Sequence, residues 1–198
     1  MKLVLATGIR KPMFSRVLRM GVTMAAASAV AALFGLAGVQ VAKSETETEI
    51  AAMVKSFSTA APAEVVEYAT IAVLEKDGKM RVVRKGTNNF TCLSIPAGPL
   101  CADKNAMEWF GAVMGKKEPP KKSGIVYMLA GDEGSNTDPW ATGPTADNHW
   151  VKTGPHVMVV GDTAITRAGY ARTPEADPTK PYVMWPDTPY EHLMIPVK

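Results

Sequence analysis

Cysteine and histidine are scarce in this chain, with two and three copies among 198 residues, and acidic residues are missing altogether from its first 37 positions. So few cysteines exclude a small disulfide-dense scaffold. The familiar catalytic signatures are also missing: there is no Gly-x-Ser-x-Gly elbow, no His-Glu-x-x-His pair, no Walker loop and no Gly-x-Gly-x-x-Gly fingerprint. Nor is there a basic excess in the body of the chain. The formal charge of +3 owes everything to Lys2, Arg10, Lys11, Arg16 and Arg19, and without those five of the 22 basic residues, 17 face 19 acidic ones. Nucleic-acid binding, which depends on neutralising phosphates, is therefore set aside. A content of 46% hydrophobic and 21% charged residues excludes a disordered chain and predicts an ordinary folded core.

What is present begins with the one-sided charge at the N-terminus. Residues Met20 to Ala42 carry no charge and follow the basic stretch, the order of the n-region and h-region of a secretory signal. Gly35-Leu36-Ala37 offers small residues at the −3 and −1 positions, so residues 1–37 are predicted to be a signal peptide, with an uncleaved anchor as the alternative. No twin arginine and no early cysteine occur, which points to a Sec-type route without lipidation. The expected destination is the bacterial periplasm or the exterior. Residues 38–60 read as an amphipathic helix and linker, and residues 61–198 as a single domain. Export also bears on Cys92 and Cys101, which flank a turn-rich stretch. A disulfide is the expectation in an oxidising compartment, with buried thiols or a metal pair as alternatives.

Hydrophobic spacing gives the elements. Ile50, Met53, Val54 and Phe57 form one helix face, with Ser44 and Glu47 as a capping box before it. Val65 to Glu75 and Met80 to Lys85 read as a hairpin closed by a type I′ turn at Asp77-Gly78. Asp103 caps a second helix carrying Met107, Phe110 and Met114, which ends at Gly115. Four more strands are expected at Ile125 to Ala130, His156 to Val160, Tyr182 to Trp185 and Leu193 to Val197. Without βα alternation, the predicted class is α+β: an antiparallel or mixed sheet of about six strands, with two helices on one face.

Several segments share their wording with a known group. Gly86-Thr87-Asn88-Asn89-Phe90-Thr91-Cys92, Tyr127-Met128-Leu129-Ala130-Gly131, Ser135-Asn136-Thr137-Asp138-Pro139, Gly154-Pro155-His156-Val157-Met158, Pro181-Tyr182-Val183-Met184-Trp185 and Thr188-Pro189-Tyr190-Glu191-His192-Leu193-Met194 are the relevant runs. With these, residues 61–198 resemble a family of small exported bacterial proteins of uncharacterised function. The resemblance implies export and one domain; it supplies no catalytic residue, ligand or fold.

Candidate site residues gather in the C-terminal half. His156-Val157-Met158 and His192-Leu193-Met194 each place a histidine two residues before a methionine, which on a strand puts both side chains on one face, about 6.6 Å apart. If the two pairs converge, His156, Met158, His192 and Met194 would form a soft ligand set suited to copper; the plainer alternative is methionine filling the core and histidine bonding at a strand edge. Asp132 to Asp138 is rich in oxygen ligands, which suggests calcium, although the spacing is not that of an EF-hand loop and Asx turns explain it equally well. His149, Trp150, His156, Trp185, Tyr190 and His192 are the candidates for a ligand-binding surface, since Tyr and Trp join apolar area to a polar tip. The expected function is thus a non-catalytic module that binds a small ligand, metal or envelope partner. The alternative is a hydrolase-type enzyme with His156 or His192 as general base and Asp138 or Glu191 as its carboxylate.

Overall fold

The structure, a computed structural model, describes residues 45–161 and 169–197. The expected signal peptide at 1–37 lies outside the described residues, as does Ser44. Helix α1 (Glu47–Ser56) is capped slightly later than the sequence suggested: the Thr46 hydroxyl accepts the Glu49 N–H at 3.2 Å while the Glu49 carboxylate accepts the Thr46 N–H at 2.8 Å. This closes a capping box of the expected type with different residues. Phe57, in a 3-10 turn after α1, is buried, and Met53 and Val54 lean against the same cluster.

The segment expected to open the first strand is instead helix α2 (Ala63–Tyr68), which starts after Pro62 and buries Val66. The strand propensity of Val65-Val66 yields here to tertiary packing and to Arg84, whose guanidinium donates to the carbonyls of Val66, Glu67 and Ala69 at the helix end. Strands β1 (Thr70–Leu74) and β2 (Met80–Arg84) then form the expected hairpin. Its turn is not type I′, because Gly78 is at φ 80° while Asp77 keeps a negative φ, and the Gly78 N–H bonds to the Glu75 carbonyl at 2.9 Å. That is a type I turn followed by a left-handed glycine.

A second hairpin replaces the expected turn-rich loop. β3 (Phe90–Ile95) and β4 (Gly98–Asp103) pair antiparallel about Pro96-Ala97, and the register sets Cys92 directly opposite Cys101. The disulfide forms there, with an S–S distance of 2.00 Å, and both cysteines are fully buried. Asp103 caps α3 (Lys104–Met114) by accepting the Ala106 N–H at 2.8 Å, as expected. The helix returns to β5 (Gly124–Met128) so closely that a Cβ on Gly124 would collide with the Ala106 backbone. Then come β6 (Asp132–Ser135), β7 (Trp150–Thr153), β8 (His156–Val160), β9 (Tyr182–Met184) and β10 (His192–Pro196).

Eight strands, not six, make the main sheet, in the order β2-β1-β3-β4-β5-β8-β10-β9, and β6 with β7 forms a separate two-stranded ribbon. The sheet is mixed because β1 runs parallel to β3 while the remaining pairs are antiparallel. The α+β class holds. The helices, however, lie on opposite faces: α3 covers Leu93, Leu100, Ala102, Val126, Met128 and Met158, whereas Phe57, Ala60 and Val66 cover Ile71, Cys92 and Cys101. Alternation along β3 and β4 produces this, since both faces of those strands are apolar and each needs a cover. Among the described residues, no helix is long and apolar enough to cross a membrane.

Candidate functional site

The face beneath α3 continues across β5, β8, β10 and β9, where the register aligns Val126, Met158, Met194 and Tyr182 in one row. On either side of that row stand the two histidines. His156 lies opposite Met128 and Pro196, and His192 lies opposite Met184. All of these side chains are buried except Pro196.

Around His156 the core becomes polar. Its Nδ1 is 2.8 Å from the Gly154 carbonyl, and because a carbonyl only accepts, Nδ1 carries the proton in the neutral ring and Nε2 the lone pair. That Nε2 faces Oδ1 of Asp132 on the ribbon at 3.8 Å, too far for a hydrogen bond. Both atoms are buried and neither has a hydrogen-bond partner. Burial pushes the Asp132 carboxyl above its ordinary range, opposed by the nearby His156, with Glu133 adding to the rise. Across the ribbon, Thr153 is the strand partner of Asp132 and shares a 2.8 Å hydrogen bond with the Tyr182 hydroxyl. Burial pushes that phenol up to about 12, the Thr153 bond opposing and the charge of Asp132 adding. A leftover buried donor or acceptor costs about 1–3 kcal/mol, and the Asp132–His156 gap sets two such atoms face to face, whereas Trp109 Nε1, Asn136 Oδ1 and one Arg172 nitrogen are left singly.

What holds the ribbon in place is backbone geometry. Gly131 enters it at φ 77°, and a Cβ there would sit 2.8 Å from the Thr153 carbonyl. Only glycine meets both demands at once. At the far end, the Trp185 N–H and indole N–H donate to the carbonyls of Asn136 and Ser135. Asn136, fully buried, also donates through its side chain to Thr173 and Pro174. The long loop after β6 is therefore anchored by its own polar groups: Ser135 Oγ donates to Asn148 and accepts from Asp138, and Asn148 Nδ2 donates to Gly143.

His192 sits in a different setting. Its Nδ1 contacts the Tyr190 carbonyl at 3.1 Å, and its ring meets Trp109 and Trp185 edge-on at 5.1 and 4.8 Å. The two indoles stack at 5.8 Å. Burial pulls the imidazole down to about 4, the Tyr190 bond opposing, so the ring is neutral at physiological pH.

The proposed copper set shares one face but does not meet at a point. Met158 and Met194 are direct strand partners, whereas His156 and His192 fall on opposite sides of them, roughly 13 Å apart along the strands. Each ring also commits its Nδ1 to a carbonyl two residues before it. The calcium segment is likewise dispersed: Asp132 faces His156, Asp138 accepts the Trp140 N–H, and Asn136 ties loops together. Among the described residues, no three His, Cys, Asp or Glu side chains gather to hold a metal.

The other candidates scatter as well. His149, at φ 46°, points to Glu175 at 3.3 Å, and Trp150 lies on the ribbon opposite Ser135. Tyr190 donates to the Lys117 carbonyl and packs edge-on against Trp140. Neither carboxylate considered for a dyad reaches a histidine, since Glu191 pairs with Arg172 at 2.7 Å and Asp138 serves the loop. The carboxylates that face a histidine are Glu175, beside His149, and Asp132, opposite His156, the latter offered by the sequence only as a calcium ligand. Thr153 and Trp109 were also missed; Thr153 and Tyr182 share no spacing that would have joined them. A polar surface cleft of about 690 Å³, lined in part by Glu118, Lys121, Arg172, Asp187 and Glu191, lies apart from the His156 cluster. No family model matches this chain, and neither the curated proteins nor the solved structures contain a match to it.

Proposed function

We propose that this chain is an exported, non-catalytic binding module that takes up a small ligand between its main sheet and the β6–β7 ribbon. The observation that carries the reading is the 3.8 Å separation of two buried, unpartnered atoms, His156 Nε2 and Asp132 Oδ1, on facing elements. A ligand group bridging them recovers hydrogen bonding that the protein leaves unmade. Delivery to the periplasm or exterior by a Sec-type signal rests on the basic and then uncharged N-terminus, and the buried Cys92–Cys101 bond is compatible with an oxidising compartment.

Binding is favoured over hydrolysis by the way His156 is used. A general base needs one ring nitrogen for its orienting partner and the other for the substrate. Here Nδ1 is held by Gly154, but among the described residues no hydroxyl or thiol is hydrogen-bonded to Nε2, whose facing atom is the Asp132 carboxylate oxygen, so no activated nucleophile stands beside it. Native mass spectrometry of the chain isolated from the periplasm tests the reading. A small bound species that is absent from His156→Gln supports it. A bare chain in both forms, or His156-dependent cleavage of a nitrophenyl ester, contradicts it.

A further inference from the structure

Resting on that reading, we infer that the Asp132–His156 gap is a receptor for the primary ammonium group of a small amine. Both walls of the gap are acceptors. His156 spends its ring proton on Gly154, leaving a lone pair on Nε2, and the Asp132 carboxylate in its ionised form, the form that a cationic ligand favours, offers only lone pairs. Two acceptors cannot bond each other, so the missing group must bring at least two N–H or O–H donors. The charge balance points the same way: among the described residues no Lys or Arg reaches Asp132, and His156 with its single ring proton on Nδ1 brings no charge of its own. A cationic donor supplies the counter-charge that burial withholds, and charge-assisted hydrogen bonds are the stronger kind.

Size and access narrow the class. Two N–H bonds of one tetrahedral nitrogen, each with an acceptor at ~2.8 Å, hold those acceptors ~4.6 Å apart. The present 3.8 Å therefore needs to widen by less than the diameter of an atom when the ligand binds. A further acceptor lies across the ribbon, because the Tyr182 oxygen keeps a lone pair when it donates to Thr153, the strand partner of Asp132. Of the two walls Asp132 is the one nearer solvent, its side chain 12% exposed while His156 is at 0%. The ammonium thus enters by its tip and its carbon chain trails outward.

The test uses the mature full chain with n-butylammonium chloride, tetramethylammonium chloride and 1-butanol as probes, followed by titration calorimetry and the His156 ring signals in nitrogen-15 NMR. Saturable binding of butylammonium alone, with a shift at His156 Nε2 and a loss of about tenfold or more in Asp132→Asn, is the expected result. An equal response to all three probes, or none to butylammonium, overturns the inference. Should Asp132→Asn fail to fold, the selectivity of the unmodified chain among the probes still decides. A periplasmic ligand that is neutral yet His156-dependent defeats the ammonium assignment alone, whereas a gap holding only water defeats the binding reading with it.

Discussion

Replacing Asp132 with Asn tests the central cluster most informatively, because a structural ion pair and a ligand site predict opposite signs. In the protein by itself, Oδ1 of the buried carboxylate has no hydrogen-bond donor, and His156 Nε2 lacks one too. The amide introduced by Asp132→Asn presents a donor to that lone pair and removes a desolvated charge. Relieving unsatisfied buried groups is worth about 1–3 kcal/mol. At a midpoint of about 2 kcal/mol, a domain near 150 residues gains about 6 °C in Tm. The gain should depend on pH. Burial raises the folded-state pKa of Asp132, so the folded chain holds the proton after the unfolded chain has released it. Wild-type stability from this group therefore falls as pH rises from the ordinary carboxyl value of 3.8 through the raised folded value. The amide does not titrate, so the advantage of Asp132→Asn should widen from about pH 4 to pH 7. Urea unfolding of both proteins across that range is the assay. Destabilisation of about 3–5 kcal/mol would identify a structural buried ion pair and refute the reasoning.

Three further outcomes follow from the same structure. His192 is held to about 4 against an ordinary 6.5, so the unfolded chain takes up a proton first and stability should drop by about 3 kcal/mol as pH falls from 6.5 to 4; in His192→Phe that acid loss, followed by denaturant melts, should largely vanish. Replacing Cys92 and Cys101 together with Ala should cost about 3 kcal/mol, read as a lower urea midpoint, because the bond closes a short loop between paired strands. Tyr182→Phe leaves Thr153 without its partner and should lower stability by about 1–3 kcal/mol by thermal melting, with little change in fold by circular dichroism.

Strong local signals in the sequence carried through to the structure. The helix face at Ile50 to Phe57, the Asp103 cap and the apolar runs at Ile125, His156, Tyr182 and Leu193 all mark real elements. The hairpin β3–β4 escaped notice because Pro96, Gly98 and Pro99 read as loop punctuation, whereas in the fold they sit at and beside a tight turn. β6 and β7 escaped because Asp132-Glu133-Gly134-Ser135 has no apolar face, its pairing being set by Gly131 and the returning chain. The helices' two faces were likewise hidden, since no spacing states which side of a sheet a distant helix covers. For the site, local pattern pointed to the histidines and missed their partners. His156 and Asp132 are 24 positions apart and meet only because the ribbon folds back over β8. The repeated His-x-Met spacing, by contrast, was a strand period that placed methionines in the core.

The most direct test of the account is a high-resolution crystal structure of the chain taken from the periplasm, with no amine added during purification. The account predicts a bound group between His156 Nε2 and Asp132 Oδ1, within hydrogen-bond distance of both and continuous with a carbon chain that leads out past Asp132. A closed gap with the carboxylate hydrogen-bonded straight to the imidazole, or one holding a lone water, would contradict it.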